Sequence, residues 1–208
     1  MNIGIIGCGN MGAALVENLA KRGDVSRIHV FDKETPRQES LAKGFGALAA
    51  PSLDALIASS DVVIIAVKPQ DIDSVLGALA GFKDKLVISI AAGMTLAYLE
   101  AKAGPCPIVR AMPNINAMIG RSMTTLCANA RVSSSQRQEA QDIFKAVGDV
   151  IFVPEELMNP ATAIAGSGPA FVAYLLKDLG APALEDVLRR EAVAFRFSPA
   201  DAMTMARA

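Results

Sequence analysis

The stretch that decides the fold is Asn2-Ile3-Gly4-Ile5-Ile6-Gly7-Cys8-Gly9-Asn10-Met11-Gly12. Ile3, Ile5 and Ile6 make a short β-branched run that predicts a buried strand. The run passes directly into Gly7-x-Gly9-x-x-Gly12. A helical pattern follows at once, with Met11, Leu15 and Leu19 on one face. Each glycine has a steric reason to be there. Gly7 permits a tight turn, and Gly9 lets backbone approach a ligand with no Cβ in the way. Gly12 lets the helix lie close on the strand. The helix start then presents free N–H groups and its positive end, which suits a pyrophosphate.

Glycine turns are common, so the context matters. A second strand, residues 28–31, ends in Asp32, where a ribose-binding acid is expected. Strand, glycine turn, helix and acid together point to a dinucleotide site. Asp32 favours NADH, because a carboxylate accepts the ribose 2′-OH and repels a 2′-phosphate. Lys33 beside it acts in the opposite sense, and capping of the next loop is an alternative role for Asp32. The expected cofactor is therefore NADPH or NADH.

Working outward, a polar stretch from Glu34 turns helical and stops near Gly44, and residues 45–49 read as a third strand. Residues 54–58 form a short helix with Ser52 placed to cap it. Residues 61–67 are apolar on both faces, as a central parallel strand should be. Further strands are expected at 86–90, 107–111, 122–129 and 150–153. Thr95 is placed to cap one intervening helix, and Ser133 with Gln136 forms a capping box for another. Strand and helix alternate, which predicts a Rossmann-like, doubly wound, mainly parallel sheet. Ligands in such sheets lie beyond the carboxyl ends of the strands. That rule nominates Ala66 to Gln70, Ala91 to Gly93 and Met112 to Asn114, besides the glycine turn.

At residue 154 strands give way to helices. The expected division is a dinucleotide-binding domain over 1–154 and an all-α dimerisation and substrate domain over 155–208. Gly166-Ser167-Gly168-Pro169 interrupts the helical part. Residues 170–179 are so apolar that they must be widely buried. Gly180 and Pro182 stop that helix, and further helices are expected over 184–195 and from Ser198-Pro199 onward. The last of these has no C-cap before Ala208, which predicts a sequence cut short of the natural protein. A helical unit that small needs a partner, so a homodimer or larger assembly is expected.

Composition excludes several classes. The 52% hydrophobic content and mean hydropathy of +0.36 are high, which fits a subunit interface. No apolar run reaches the ~18 residues of a membrane span. With 20 basic and 21 acidic residues dispersed, there is no basic stripe for nucleic acid. The first strand begins at residue 2, where a signal peptide would stand. Three cysteines and one histidine lack metal-ligand spacing. A reducing, cytoplasmic compartment is expected.

Five stretches together resemble one family. They are Ile6 to Gly12, Ala66-Val67-Lys68-Pro69-Gln70, Ala91-Ala92-Gly93, Arg110-Ala111-Met112-Pro113-Asn114 and Gly166-Ser167-Gly168-Pro169-Ala170. In identity and order they are similar to pyrroline-5-carboxylate reductases. The resemblance implies reduction of 1-pyrroline-5-carboxylate to L-proline by NADPH or NADH, the last step of proline biosynthesis. It also implies a dimer of interlocked C-terminal helices. The implied cofactor positions are Gly7, Cys8, Gly9, Asn10, Met11 and Gly12, with Ala66, Val67, Lys68, Pro69, Ala91, Ala92 and Gly93; Asp32 joins them from its place at the end of the second strand. From the residues themselves, Asn114, Gly166, Ser167 and Gly168 are the expected substrate-binding residues, with the N–H groups of 166–168 placed to hold a carboxylate at a helix start; a purely structural turn is the alternative. Three departures stand out. Ile115-Asn116-Ala117 replaces a family loop containing threonine and proline, and Ser52-Leu53 stands where asparagine is frequent. The serine-proline-glycine-glycine-threonine loop that helps bind substrate does not occur before Ala208.

Hydride transfer to a cyclic imine needs orientation and electrostatics more than acid–base machinery. Lys68 is a candidate catalytic group, or a stem packed over apolar surface. Ser167 is a candidate at the substrate, or a plain helix cap. His29 lies mid-strand, upstream of the ligand edge, and reads as structural. Met112, Met118 and Met123 read as packing. Two other readings stand beside this one. One is a different imine or hydroxy-acid oxidoreductase, for which Lys177 is the candidate lysine in the helical part. The other is a truncated dinucleotide-binding protein without activity.

Overall fold

The computed structural model describes residues 1–23, 27–81 and 85–175. It holds an eight-stranded sheet in the order β3-β2-β1-β4-β5-β6-β7-β8. The strands are β1 (Asn2–Ile6), β2 (Arg27–Phe31), β3 (Leu48–Ala49), β4 (Val62–Ile65), β5 (Leu86–Ser89), β6 (Ile108–Met112), β7 (Ser122–Ala128) and β8 (Gly148–Phe152). The first six run parallel, β7 is antiparallel to β6, and β8 is parallel to β7. The reversal at β7 follows from chain length. Only Pro113 to Arg121, with a 3₁₀ turn at Ile115–Ile119, separates it from β6. A parallel return needs a crossover of a dozen or more residues.

Helices cover both faces. α1 (Asn10–Arg22), α2 (Thr35–Phe45) and α6 (Ser134–Lys145) pack on one side, where Leu15, Leu19, Ile143 and Phe144 meet Ile3, Ile5 and Ile64. α3 (Leu53–Ala58), α4 (Ile72–Leu79) and α5 (Leu96–Ala103) pack on the other, where Leu56, Leu76 and Leu99 meet Ile6, Val63 and Ile65. All four residues of β4 are buried, which explains its place at the centre. Each such side chain is worth about 1.5–3 kcal/mol when fully removed from water. Gly4 makes room for α3, since a Cβ there would stand 2.5 Å from a Leu56 methyl.

The expected caps are present. The hydroxyls of Ser52 and Thr95 accept from Ala55 N and Tyr98 N, and Ser133 with Gln136 forms a reciprocal capping box. The third strand is shorter than expected. α2 runs on through Phe45 and ends at Gly46, whose φ of +70° lets its N–H close on the Ala42 carbonyl at 3.1 Å. That leaves only Leu48–Ala49 to pair with β2. Met118 departs from the packing expectation and is exposed on the 3₁₀ turn, while Met123 is fully buried.

After β8 come a 3₁₀ turn at Glu155–Leu157, α7 (Met158–Ala161), a π-helical turn at Thr162–Gly166 and α8 (Gly168–Leu175). Met158, Ala161, Ile164 and Ala165 bury into the same core as α4 and α5. The expected helix over 170–179 therefore starts at Gly168. Its last turn, the stop at Gly180-Pro182, Lys177 and the helices from Leu184 and Ser198 lie outside the described residues.

Candidate active site

Strand order reverses between β1 and β4, so their carboxyl ends open a crevice. The glycine turn forms its floor. Gly7 takes a φ of +101°, and a Cβ there would fall 2.6 Å from the Ala66 carbonyl oxygen. A Cβ on Gly12 would fall 2.0 Å from the Gly7 carbonyl oxygen. These two glycines are thus required by the protein itself. Gly9 is different, because a Cβ there would meet nothing within 4 Å. It is also the N-cap of α1, with no side-chain cap and no acidic residue in the first turn. Backbone N–H groups at Gly9, Asn10 and Met11 therefore open onto space that suits an anion.

That space continues as two adjoining hollows of about 480 Å³ and 670 Å³, which share Gly9, Arg37, Ala66, Val67 and Lys68. The smaller is walled by Asp32, Lys33, Leu53 and Val75 on the β2 side. The larger is walled by Cys8, Asn10, Met11, Pro69, Ala91 and Ala92, and reaches Met112 and Pro113 at the end of β6. Gly12 and Gly93 line neither hollow. They shape the turns behind it, Gly93 with a φ of +78°.

The Asp32 carboxylate is held by two backbone donors. Oδ2 accepts from Cys8 N at 2.6 Å, and Oδ1 accepts from Glu34 N at 2.8 Å. The loop-capping role and the cleft-facing position thus coincide, since each carboxylate oxygen keeps a further lone pair. Lys33 Nζ bonds Asp71 at 3.1 Å, and both residues line the smaller hollow. Arg37 pairs with Glu34 at 3.1 Å. Burial, with the Asp32 charge adding to it, pushes the Cys8 thiol up to about 12, against a smaller opposing pull from Arg37. Cys8 is therefore a neutral, buried packing group. Lys68 is exposed at the start of the 3₁₀ turn Pro69–Asp71. His29 sits mid-strand opposite Gly4 and Leu48, away from the ligand edge. Burial, then Arg27, lowers its pKa.

At the far end, the π-helical turn brings Gly166 beside β6. A Cβ on Gly166 would lie 3.7 Å from the Met112 methyl. Ser167 N donates to the Thr162 carbonyl at 2.9 Å, so that N–H is used inside the turn. Among the described residues no protein group bonds the Ser167 hydroxyl. Asn114 is 3% exposed, and its amide serves the protein. Nδ2 donates to the Ala165 carbonyl at 2.9 Å, and Oδ1 accepts from Asn116 N at 3.2 Å.

Arg37 and Glu155 were not singled out from the sequence. The signal for Arg37 was a cation in the first turn of the helix that follows Asp32. Glu155, whose Oε1 accepts from Arg110 Nη1 at 2.8 Å and from Leu96 N at 2.7 Å, had no local signal. Among the described residues no cluster of His, Cys, Asp or Glu could hold a metal ion, and no helix is long and apolar enough to cross a membrane.

A glycine turn at a helix start, continuous with a cleft along parallel strand ends, defines a dinucleotide-binding fold of the Rossmann type. A family model described as "NADP oxidoreductase coenzyme F420-dependent" matches residues 2–93. A pyrroline-5-carboxylate reductase from Synechocystis is 39% identical over 182 residues, covering 86% of this chain and 68% of that protein. The solved pyrroline-5-carboxylate reductase from Coxiella burnetii superposes with a TM-score of 0.80 at 30% identity, covering 99% of this chain and 75% of that one. The Plasmodium falciparum pyrroline carboxylate reductase, solved with NADP bound, gives 0.76 at 27% identity, covering 100% and 74%. The chain belongs to the pyrroline-5-carboxylate reductase family. It spans about two thirds of the Synechocystis relative's length, 68%.

Proposed function

We propose that this chain reduces 1-pyrroline-5-carboxylate to L-proline with NADPH or NADH. The observation that carries the reading is the continuity of the cleft. One run of space joins the Gly9 helix start to the strand ends at Ala66, Ala91 and Met112, beside which Gly166 packs. When bound, the cofactor supplies a hydride to the imine carbon, while the imine nitrogen carries the proton. The residues hold and orient. The N–H groups at Gly9 to Met11 receive the diphosphate, and Asp32 faces the adenosine ribose. Ala66 to Pro69 with Ala91 and Ala92 form the wall along which the nicotinamide lies, and Gly93 shapes the turn behind it. The turn Gly166-Ser167-Gly168 faces the substrate carboxylate, with Ser167 offering its hydroxyl. Lys68 lends positive charge at the cleft rather than a proton relay, in keeping with its exposed position.

Residues 155–208 complete the substrate end and build a homodimer or larger assembly, a reading supported by the high apolar content. The buried, unpaired thiols of Cys8, Cys106 and Cys127 support a reducing compartment, the cytoplasm. The test is direct. Purified chain is mixed with NADPH or NADH and 1-pyrroline-5-carboxylate, and absorbance at the reduced nicotinamide band is followed. Loss of absorbance with formation of proline supports the reading. Cofactor binding without turnover would leave a dinucleotide-binding protein only, and no binding would reject both.

A further inference from the structure

Residues 155–168 must find one register on the sheet, because Ser167 is useful only at one height above β6. Apolar packing of Met158, Ala161 and Ile164 buries the segment but does not fix that height, since apolar contact is non-directional. Directional bonds sit at its two ends. At the first, one oxygen of Glu155 receives both the Arg110 guanidinium, 2.8 Å away, and the N–H of Leu96, 2.7 Å away. Leu96 opens α5, directly after the loop that carries Ala91 to Gly93. The single carboxylate therefore ties β6, the β5 loop and the returning chain together.

At the second end, the sequence leaves a gap that Asn114 fills. In a regular helix the Ala165 carbonyl would accept from the N–H four residues on. That residue is Pro169, which has no N–H. The chain instead makes a π turn, with Ser167 N closing on Thr162 O, and the Ala165 carbonyl is turned to Asn114 Nδ2 at 2.9 Å. Asn114 is itself held. Its N–H donates to Ser122 Oγ at 3.1 Å, and its Oδ1 accepts from Asn116 N at 3.2 Å.

We propose that Asn114 and Glu155 are positioning residues that fix the Gly166-Ser167-Gly168 turn over the end of β6 and so set the substrate end of the cleft. This rests on the reductase reading above. It assigns Asn114 to the turn rather than to direct contact with substrate. The glycine loop and Asp32 lie on other elements, so the diphosphate and adenosine end is independent of both clamps, whereas Glu155 also reaches, through Leu96 N, the chain that follows Ala91 to Gly93.

The test is Asn114→Asp, which keeps the shape and replaces the donor by an oxygen facing the Ala165 carbonyl. Glu155→Gln is the second variant. Steady-state kinetics with 1-pyrroline-5-carboxylate, NADPH titration by fluorescence and hydrogen exchange over residues 162–171 are measured on each. Misplacing a reacting group by about 1 Å costs on the order of a hundredfold, so kcat/KM for the imine is expected to fall by that order. NADPH affinity should stay within about twofold in Asn114→Asp, whose side-chain bonds run to Ala165 and Asn116 alone, a split that general unfolding does not produce. Exchange at 162–168 should quicken while residues 2–12 are unchanged. Unaltered kcat/KM, or NADPH affinity of Asn114→Asp falling in step with it, would overturn the proposal. Where the parent chain itself shows no turnover, the reductase reading fails. The clamps then stand or fall on the exchange result, and unchanged protection at 162–168 would reject them.

Discussion

The Cys8 backbone N–H donates to Oδ2 of Asp32 at 2.6 Å, joining the glycine turn to the end of the neighbouring strand. The acid that faces the adenosine ribose in the proposed function therefore also shapes the loop proposed to receive the diphosphate. Asp32→Asn keeps one acceptor but turns an NH₂ toward a backbone N–H. It also removes the charge that repels a 2′-phosphate. The ratio of NADPH to NADH affinity is expected to rise by about tenfold, the worth of one hydrogen bond to a charged group. Parallel fluorescence titrations with the two cofactors measure it. An unchanged ratio would assign Asp32 to the loop alone.

The glycines of the turn separate into two kinds. A Cβ on Gly12 would sit 2.0 Å from the Gly7 carbonyl oxygen, and nothing there can yield but backbone. Gly12→Ala is expected to lower the thermal midpoint and abolish cofactor binding together. Gly9 has an ordinary φ of −72° and open space beyond its Cα. Gly9→Ala should leave stability equal or slightly raised, by about 0.4–1 kcal/mol through the unfolded chain. Cofactor binding should nonetheless weaken, because the new methyl occupies the diphosphate space. Thermal melts with and without NADPH distinguish the two. Equal loss of stability in both variants would contradict the cradle.

The centre of the sheet was legible because its strands are short, apolar and buried on both faces, as Val62 to Ile65 show. The caps at Ser52, Thr95 and Ser133 were legible because they are local chemistry. The direction of β7 was not read, since it depends on the absence of a crossover helix rather than on the strand's own residues. The extension of α2 to Phe45 was missed because Gly44 and Gly46 look alike in sequence, and only Gly46 takes a positive φ. At the site, the glycine turn and strand ends follow from one rule about parallel sheets. The engagement of Asn114 with Ala165 and of Glu155 with Arg110 joins residues 51 and 45 positions apart, which no local pattern encodes.

The buried thiols give a pH dependence. Burial is the largest cause that raises both Cys8 and Cys127, each to about 12. A pKa raised in the folded state means that the unfolded chain loses its proton first as pH climbs. Their contribution to stability is thus intact below the unfolded thiol value near 9 and is lost between about 9 and 12. The Cys8→Ala/Cys127→Ala double variant is expected to lose less stability over that window than the parent. Denaturant midpoints at a series of alkaline pH values check this. Identical slopes would mean the thiols reach solvent in the folded chain.

The Arg110–Glu155 pair is unequal, and the inequality predicts an asymmetric response. The Arg110 side chain is 8% exposed and that of Glu155 33% exposed. Glu155→Ala strands a nearly buried guanidinium and leaves Leu96 N without its acceptor. Removing one partner of a buried pair costs about 3–5 kcal/mol, and the partial exposure here places the loss near the lower figure. Arg110→Met removes the buried charge instead, fills the space with an unbranched apolar chain, and leaves a carboxylate that still reaches water and Leu96 N. It is expected to cost less. Combining Arg110→Met with Glu155→Ala should be milder than Glu155→Ala alone, because no buried charge is left unpaired. Urea unfolding of the three variants, with the dependence on denaturant checked to be constant, measures the cycle. If Arg110→Met proved the more damaging single change, the bond from Glu155 to Arg110 would be holding the carboxylate rather than compensating the guanidinium.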